Sequence, residues 1–337
     1  MELELGPLRG RRFQAVQEFL AQNGLTPPEA PPAFTVTLLE EGRPLATGSL
    51  DGGVIQYVAV DSGCQGGGLC AAVVSHLTRQ ALQEGREHLM LCTKPENRAL
   101  FAGLGFYPVT ETAGMLLMEN RRNGAADFVA ALPKPPPEAE PAGAVVANCN
   151  PFTRGHLWLA EQAAARCGFL YFFLVSEDRS FFPADVRLEL ARQNLADLPH
   201  TAVCPTGDYL ISAATFPTYF LKDQANAAFH SAELDLKLFA ERFAAPLGIT
   251  LRFVGEEPLC PVTRAYNRQM MDLLPGWGVR TVVLPRLEEG GAVISASRVR
   301  ALFQRGELEA LRPLVPGPTY QYLLEEYRHG ASGHSGN

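Results

Sequence analysis

The sequence predicts an α/β protein of two domains, of which the second is a doubly wound parallel sheet. The chain has 337 residues, which is more than one ordinary hydrophobic core accommodates, so two domains are expected. In the second half, short continuous apolar runs alternate with stretches of helical periodicity. Such runs are typical of strands that are buried on both faces of a parallel sheet covered by helices.

The elements follow from these patterns in chain order. Apolar, β-rich runs predict strands, and a period of 3.6 residues predicts helices. The first half has predicted strands at 53–61, 88–93 and 106–109, and predicted helices at 71–85 and 97–105. The second half has predicted strands at 144–149, 170–175, 251–254 and 281–284, and predicted helices that include 156–167 and 183–195.

Composition limits the classes of function. Net charge −7 provides no basic field, which argues against a general nucleic-acid binder. No apolar run approaches the ~20 residues that span a bilayer, and the N-terminus lacks the apolar core of a secretory signal. The seven cysteines are odd in number and dispersed, without zinc-type spacing. They predict reduced thiols and a cytoplasmic location.

A proline-rich segment marks the predicted domain boundary. Leu132 to Gly143 contains five prolines and two glutamates, a composition that favours a stiff linker over a packed core. The predicted division is a first domain at 1–132, a linker at 133–142, a second domain at 143–330 and a disordered tail at 331–337.

The first strand–helix junction of the second domain is a candidate anion site. In open α/β sheets, ligands bind beyond the carboxyl ends of the strands, where a helix N-terminus favours negative charge. Thr153 and His156 can each donate a hydrogen bond, Arg154 adds a positive charge, and Gly155 permits close backbone approach to a phosphate. A triphosphate fits these groups. The alternative is a histidine that merely caps the helix, because a short T-x-G-H string also arises by chance.

A second candidate motif lies near the C-terminus, in the string ISASRVR from Ile294 to Arg300. Ser297 is expected at a helix start, where its hydroxyl can cap the helix or hold phosphate oxygens. Arg300 follows one turn later and projects from the same end. The alternative is a serine-capped helix with a solvated arginine.

Together, T-x-G-H after the first strand and I-S-x-S-x-x-R after the last resemble the paired signature of the HxGH nucleotidyltransferase superfamily, whose fold is Rossmann-like. Longer blocks are more specific. The strings CNPFT-x-GH, ATFP-x-YFLK and VGEEP…PVT-x-AYN occur here in the order in which they occur in the citrate (pro-3S)-lyase ligase family. This resemblance extends over nearly the whole chain.

The resemblance implies an AMP-forming ligase. Acetate and ATP give acetyl-adenylate and pyrophosphate, and the acetyl group then passes to the thiol of a CoA-like arm on the acyl-carrier subunit of citrate lyase. It implies ATP as a substrate with Mg²⁺, and no tightly bound cofactor. The residues implied in catalysis are His156, Thr153, Arg300 and Ser297. Those implied in ATP binding are Asn150, Pro151, Phe152, Gly155, Ser295, Arg187 and Lys222.

The first domain resembles the GNAT acetyltransferases, which implies an α+β fold. Their acyl-CoA loop, Q/R-x-x-G-x-G/A, corresponds to the run Gln65, Gly66, Gly67, Gly68, Leu69 and Cys70. Backbone N–H groups of such a loop hold a pyrophosphate, here that of the CoA-like arm. A tight glycine turn is the alternative. The family's proton-donating tyrosine corresponds to Phe101, which cannot donate a proton, so ordinary acetyl-CoA chemistry is not expected.

Three other functions remain open on the sequence. One is an adenylyltransferase that acts on a small phosphate ester such as a pantetheine phosphate. The second is a related acetate ligase for another carrier protein. The third is a non-catalytic protein that senses a nucleotide or an acyl-CoA. The sequence does not fix acetate as the acyl group.

Overall fold

The computed structural model describes residues 1–177, 180–216, 224–258 and 260–332. The chain divides into two compact units. The first holds Met1–Asp127 together with Ala213–Leu238, and the second holds Phe128–Ser212 and Phe239–Asn337. The helix that ends at Leu238 therefore groups with the first unit, whereas the predicted second domain runs from 143 to 330 without a break.

The first unit is built on a seven-stranded sheet of order β1-β2-β3-β4-β5-β7-β6. Its strands are β1 (Glu2–Gly6), β2 (Phe34–Glu40), β3 (Arg43–Asp51), β4 (Val54–Val60), β5 (Met90–Thr93), β6 (Tyr107–Glu111) and β7 (Leu116–Glu119). Its helices are α1 (Gly10–Gln22), α2 (Leu69–Gln83), α3 (Arg98–Ala102) and α7 (Gln224–Leu238), and α4 (Gly124–Ala130) leads into the second unit. All neighbouring strands are antiparallel except β4 and β5.

Helix α2 covers the centre of this sheet at close range. Val73 and Leu77 are fully buried against sheet residues that include Val36 and Ile55. Gly48 on β3 makes this approach possible, since a Cβ there would lie 2.7 Å from Cγ1 of Val73 and 3.0 Å from Cδ1 of Leu77. The contact fixes the height of α2 above the sheet, and with it the position of the glycine-rich loop that precedes the helix.

The second unit is built on a five-stranded parallel sheet of order β10-β9-β8-β11-β12. Its strands are β8 (Ala142–Ala147), β9 (Phe169–Leu174), β10 (Thr201–Pro205), β11 (Ile249–Gly255) and β12 (Arg280–Leu284). Its main helices are α5 (Arg154–Ala164), α6 (Ala184–Asn194), α9 (Pro261–Leu273), α10 (Ala296–Gln304) and α11 (Gly317–Ser332), with a short α8 (Ala245–Leu247) and a hairpin of β13 (Glu288–Glu289) and β14 (Ala292–Val293).

The predicted fold class is confirmed in both halves. Every strand and helix that the patterns predict has a counterpart, and the second sheet is parallel as expected. All six residues of β9 are buried, because helices cover both faces of the sheet. The patterns did not predict β1, β2, β3, β7 or β10. No helix in the described ranges has both the length and the apolar character of a membrane-spanning segment.

The proline-rich segment packs against the second unit. Tyr171 donates a hydrogen bond from its hydroxyl to the carbonyl oxygen of Pro133 over 2.8 Å. Gly168 lies so close to Ala139 that a Cβ at Gly168 would be 2.5 Å from the Ala139 carbonyl carbon. Its composition predicted a stiff linker, yet part of this segment is docked on the sheet.

We predict that Gly48→Ala lowers the free energy of unfolding by about 1–3 kcal/mol, because the added methyl group overpacks the contact with Val73. Urea unfolding measures the loss. Gly103→Ala is the matched control in the same unit, since a Cβ there would meet only ordinary contacts, the nearest at 3.4 Å. Equal stability of the two variants would contradict the close packing of α2.

Candidate functional site

The candidate site lies at the carboxyl end of β8. This strand is first in chain order within its sheet and has β9 on one side and β11 on the other, so the strand order reverses there. The crevice beyond such a switch point is where ligands bind in open α/β sheets. The loop from 148 to 153 follows β8 and leads into α5 at Arg154. The first predicted motif therefore occupies the expected position.

Thr153 and His156 form a reciprocal cap at the start of α5. The Thr153 side chain accepts from the His156 backbone N–H, and the Thr153 backbone N–H donates to Nδ1 of His156 over 3.0 Å. Because Nδ1 accepts a hydrogen bond, the proton of the neutral ring lies on Nε2. The histidine is thus a cap, as the simpler interpretation held, and the same bond orients Nε2–H as a donor.

The residues beneath this cap are buried. Pro151 is buried, and Phe152 is 0% exposed, with its ring 5.6 Å from the His156 ring and 6.0 Å from Phe172. Direct contact with ATP was expected of Phe152, but a fully buried ring cannot provide it. The Phe152 ring instead packs against the His156 ring and supports it.

Arg187 is also removed from direct contact with a ligand, because it is 0% exposed. Its guanidinium donates to the carbonyl oxygens of Asn148, Val175, Glu177 and Phe182, at 2.7–3.0 Å, and also to Oδ1 of Asn148. Arg187 therefore has a structural role in place of the expected contact with ATP. Its N–H groups are bonded to the loops that follow β8 and β9 and hold those loops in place. Lys222, another expected ATP contact, lies outside the described residues.

The second motif begins α10 and approaches the first. Ser295, rather than Ser297, is the cap, since its side chain accepts from the Arg298 backbone N–H over 3.2 Å. The hydroxyl of Ser297 is exposed and accepts from the Arg300 guanidinium over 3.1 Å. Arg300 also donates to the carbonyl oxygen of Asn150 in the first motif. Burial lowers the pKa of Arg300.

Asn150 and Gly155 complete the junction between the motifs. Oδ1 of Asn150 accepts from the Phe182 backbone N–H over 3.0 Å. A Cβ at Gly155 would lie 3.5 Å from the Ile294 carbonyl oxygen, so the first turn of α5 faces the start of the second motif. The predicted residues Asn150, Thr153, Gly155, His156, Ser295, Ser297 and Arg300 are therefore brought together.

A cavity of about 270 Å³ opens beside this junction. Apolar side chains that include Trp158, Leu159 and Phe253 line much of it, and Thr153, Gly155, His156 and Ser295 border it. The polar groups Glu257, Asn267 and Arg286 lie around the same space. A mostly apolar pocket with a few polar groups is typical of a small-molecule site, and the size suits a nucleoside.

Arg286 is a residue of the site that no sequence motif predicted. This residue follows β12 and is held by two contacts: Nε donates to the Glu256 carbonyl oxygen over 2.5 Å, and the guanidinium is paired with the Glu257 carboxylate. Burial, and after it the positive charge of Arg286, lowers the pKa of His156 to about 4. His156 is therefore neutral at pH 7. Arg286 belongs to no local motif. It lies at the site because β12 and β8 are strands of the same parallel sheet, whose carboxyl ends share one edge.

The first unit carries a separate cleft of about 670 Å³. It opens where β4 and β5 separate after only two paired positions, and its lining includes Gln65, Gly66, Gly68 and Leu69 of the predicted loop. Gly66 and Gly68 have positive φ, and Gly68 immediately precedes α2. The described lining contains no carboxylate and no histidine, and it includes the buried ring of Phe101.

Fold and sites thus define a protein with a nucleotide-type pocket on a parallel sheet and a GNAT-type module before it. Residues 142–323 match the citrate lyase ligase C-terminal domain, and residues 12–106 match the acetyltransferase (GNAT) family. The chain belongs to the citrate (pro-3S)-lyase ligase family.

Curated relatives agree with this assignment. The citrate (pro-3S)-lyase ligase of Klebsiella pneumoniae is 40% identical over 319 residues, which are 93% of this chain and 93% of the relative. The enzyme of the same name from Escherichia coli K12 is 37% identical over 95% of this chain and 92% of its own. That of Haemophilus influenzae is 36% identical over 96% and 98%.

We predict that Gly155→Ala folds normally but binds ATP more weakly. The added Cβ meets nothing closer than 3.5 Å, and alanine favours a helix over glycine by up to about 1 kcal/mol. The methyl group would nevertheless occupy the surface that a phosphate approaches. Thermal unfolding and ATP titration on one preparation measure both effects. Gly276→Ala, whose Cβ would meet open space, is the control. Unchanged ATP affinity would exclude close phosphate approach at Gly155.

We also predict that His156 makes stability depend on pH. Its folded pKa of about 4 lies below the unfolded value of 6.5, so its contribution is complete above pH 6.5 and is lost as pH falls towards 4. Between pH 7 and pH 5, wild type should lose about 1–2 kcal/mol more than His156→Asn, whose amide oxygen can still accept from the Thr153 N–H. Urea unfolding at several pH values tests this. Parallel pH profiles would contradict the lowered pKa.

Proposed function

We propose that this protein acetylates the thiol of the CoA-like arm on the citrate lyase acyl-carrier subunit, with ATP converted to AMP and pyrophosphate. The observation that carries the proposal is the bridge made by Arg300. Its guanidinium contacts the Asn150 carbonyl of one phosphate motif and the Ser297 hydroxyl of the other, beside a nucleoside-sized cavity. The names of the relatives supply the lyase.

The first step is adenylation. A carboxylate oxygen of acetate attacks the α-phosphorus of ATP, the bond to the β-phosphate oxygen breaks, and pyrophosphate leaves with the electron pair. Negative charge grows on the leaving group, so fixed donors that hold it lower the barrier. Nε2–H of His156, the Ser297 hydroxyl and the Arg300 guanidinium supply such donors. The step needs no general base, because acetate is ionised at pH 7.

Mg²⁺ reaches the site on the phosphates of ATP, where it neutralises part of their charge. Within the described residues no three histidine, cysteine, aspartate or glutamate side chains form a group that could hold a metal ion. The hydroxyl, imidazole and guanidinium groups of the two motifs suit phosphate oxygens. ATP is a substrate in this proposal and no cofactor is resident.

The first unit binds the CoA-like arm. The N-terminus of α2 and the positive-φ glycines before it provide backbone N–H groups for a pyrophosphate. The cleft beyond them, in whose described lining Lys94 is the charged side chain, suits an extended arm that ends in a thiol. With no carboxylate, histidine or tyrosine in the described lining, this unit serves recognition, while activation of the acid occurs in the second unit. The seven free thiols accord with a reducing compartment such as the cytoplasm.

The test is acid-dependent exchange of labelled pyrophosphate into ATP, followed across acetate, propionate and butyrate. The proposal expects exchange with acetate, and transfer of the acyl group when the carrier with its arm is added. A stable dinucleotide formed from pantetheine phosphate and ATP without acid would instead favour an adenylyltransferase. Absence of both reactions, with ATP bound, would leave a nucleotide-binding protein without this chemistry.

We predict that Gly68→Asn raises KM for the carrier and leaves KM for ATP unchanged. Asparagine tolerates positive φ, so the backbone can keep its conformation while the side chain obstructs the cradle. Gly85→Asn is the matched control, because Gly85 has φ +75°, open space around its Cβ position, and a place at the opposite end of α2. Equal effects of the two variants on the carrier KM would contradict an arm site at the glycine loop.

A further inference from the structure

We infer that Arg286 is a catalytic residue that binds the α-phosphate of the nucleotide, and that Glu257 is its positioning residue. The inference rests on the proposed function, since it assigns to ATP the cavity beside the two motifs. It adds a second guanidinium to the site, from a loop that neither phosphate motif contains.

The position of Arg286 follows from the sheet. The residue lies two positions after the end of β12, the neighbour of β11, so it lies at the same carboxyl edge as the loop after β8. Arg286 and His156 line one cavity. The two side chains also interact electrostatically, since the charge of Arg286 helps to lower the pKa of His156. A phosphate that accepts from His156 in this cavity is therefore within the field of Arg286.

The contacts of Arg286 hold its guanidinium group in place and leave one edge of that group open to a ligand. Nε is held by the Glu256 carbonyl oxygen, and one terminal nitrogen by the Glu257 carboxylate, whose side chain is 8% exposed. The Arg286 side chain is 27% exposed. Among the described residues, two of its five N–H groups have partners, so three remain for an anion. Two anchors on one side make the guanidinium a preorganised donor rather than a solvated charge.

The two arginines then divide the phosphates between them. Arg286 lines the nucleoside-sized cavity, whereas Arg300 and Ser297 lie beyond its described lining. The α-phosphate is the one joined to the nucleoside, so it lies nearest the cavity and Arg286. The β- and γ-phosphates extend towards Arg300. In adenylation the α-phosphorus bears the entering and leaving oxygens, and Arg286 stabilises the charge on its remaining oxygens.

The test compares AMP with adenosine by calorimetry, using the full chain. Arg286→Gln should weaken AMP binding roughly 10–100-fold, the range for a charge-assisted hydrogen bond, and leave adenosine binding within about twofold. Its acid-dependent exchange should fall roughly 10²–10³-fold in kcat, with a smaller change in the ATP KM. Arg280→Gln, an exposed arginine at the other end of β12, should leave all three unchanged.

Glu257→Gln tests the positioning role. Alone it should weaken AMP binding less than Arg286→Gln does, and in the Arg286→Gln background it should add no further loss, since it acts through the guanidinium. Additive losses would overturn that role.

Wild-type AMP affinity in Arg286→Gln, or equal losses of AMP and adenosine, would overturn the phosphate contact. If that variant does not fold, Arg286→Lys decides by the same comparison, with a smaller selective loss of AMP affinity expected. A selective loss of AMP affinity in a protein whose wild type shows no exchange with any acid would support the contact while rejecting the proposed ligase chemistry.

Discussion

The geometry of the candidate nucleotide site depends on one buried cation. Arg187 is fully buried, and its guanidinium donates to the carbonyl oxygens of Asn148, Val175, Glu177 and Phe182. An unpaired charge in this position would cost several kcal/mol, and the four carbonyl dipoles offset that cost. Each partner belongs to the loops that leave β8 and β9 or to the residues just before α6. The loop of the first phosphate motif is therefore held from within the protein.

In the proposed function both units hold an anion in the same way, at a helix N-terminus that follows a strand, but the groups around the two N-termini differ. At α5 and α10 the backbone N–H groups are joined by His156, Ser297 and Arg300, which can respond to charge that develops during a reaction. At α2 they are joined by glycines and by a cleft whose described lining holds no carboxylate and no histidine. The contrast explains how a GNAT-type fold can remain useful without a proton donor at Phe101. Binding requires only the amides, whereas adenylation requires directed positive charge.

Local sequence predicted the two phosphate motifs, helices α2, α3, α5 and α6, and strands β4, β5, β6, β8, β9, β11 and β12. Their signals are short range: apolar runs for strands covered on both faces, a period of 3.6 residues for α2 and α5, and turn residues where the chain reverses. The reciprocal bond of Thr153 and His156 spans three residues and could be foreseen as a cap. One local inference was displaced by two residues, since Ser295 caps α10 and leaves the Ser297 hydroxyl exposed. Serine at either position satisfies the same sequence rule, and only the backbone decides between them.

Tertiary structure alone decided which charged residues lie at the candidate site and which are buried beneath it. Arg187 looked like a phosphate contact because its sequence neighbourhood does not reveal burial, and its acceptors lie up to 39 residues away. Arg286 carries no local signal, because its partner Glu257 is 29 residues away in the sequence and His156 is farther still. The pairing of α7 with the first unit has the same origin. A sequence pattern shows the periodicity of one segment. The electrostatic field at a site depends on charged residues from several segments, which come together only at the carboxyl edge of the folded sheet.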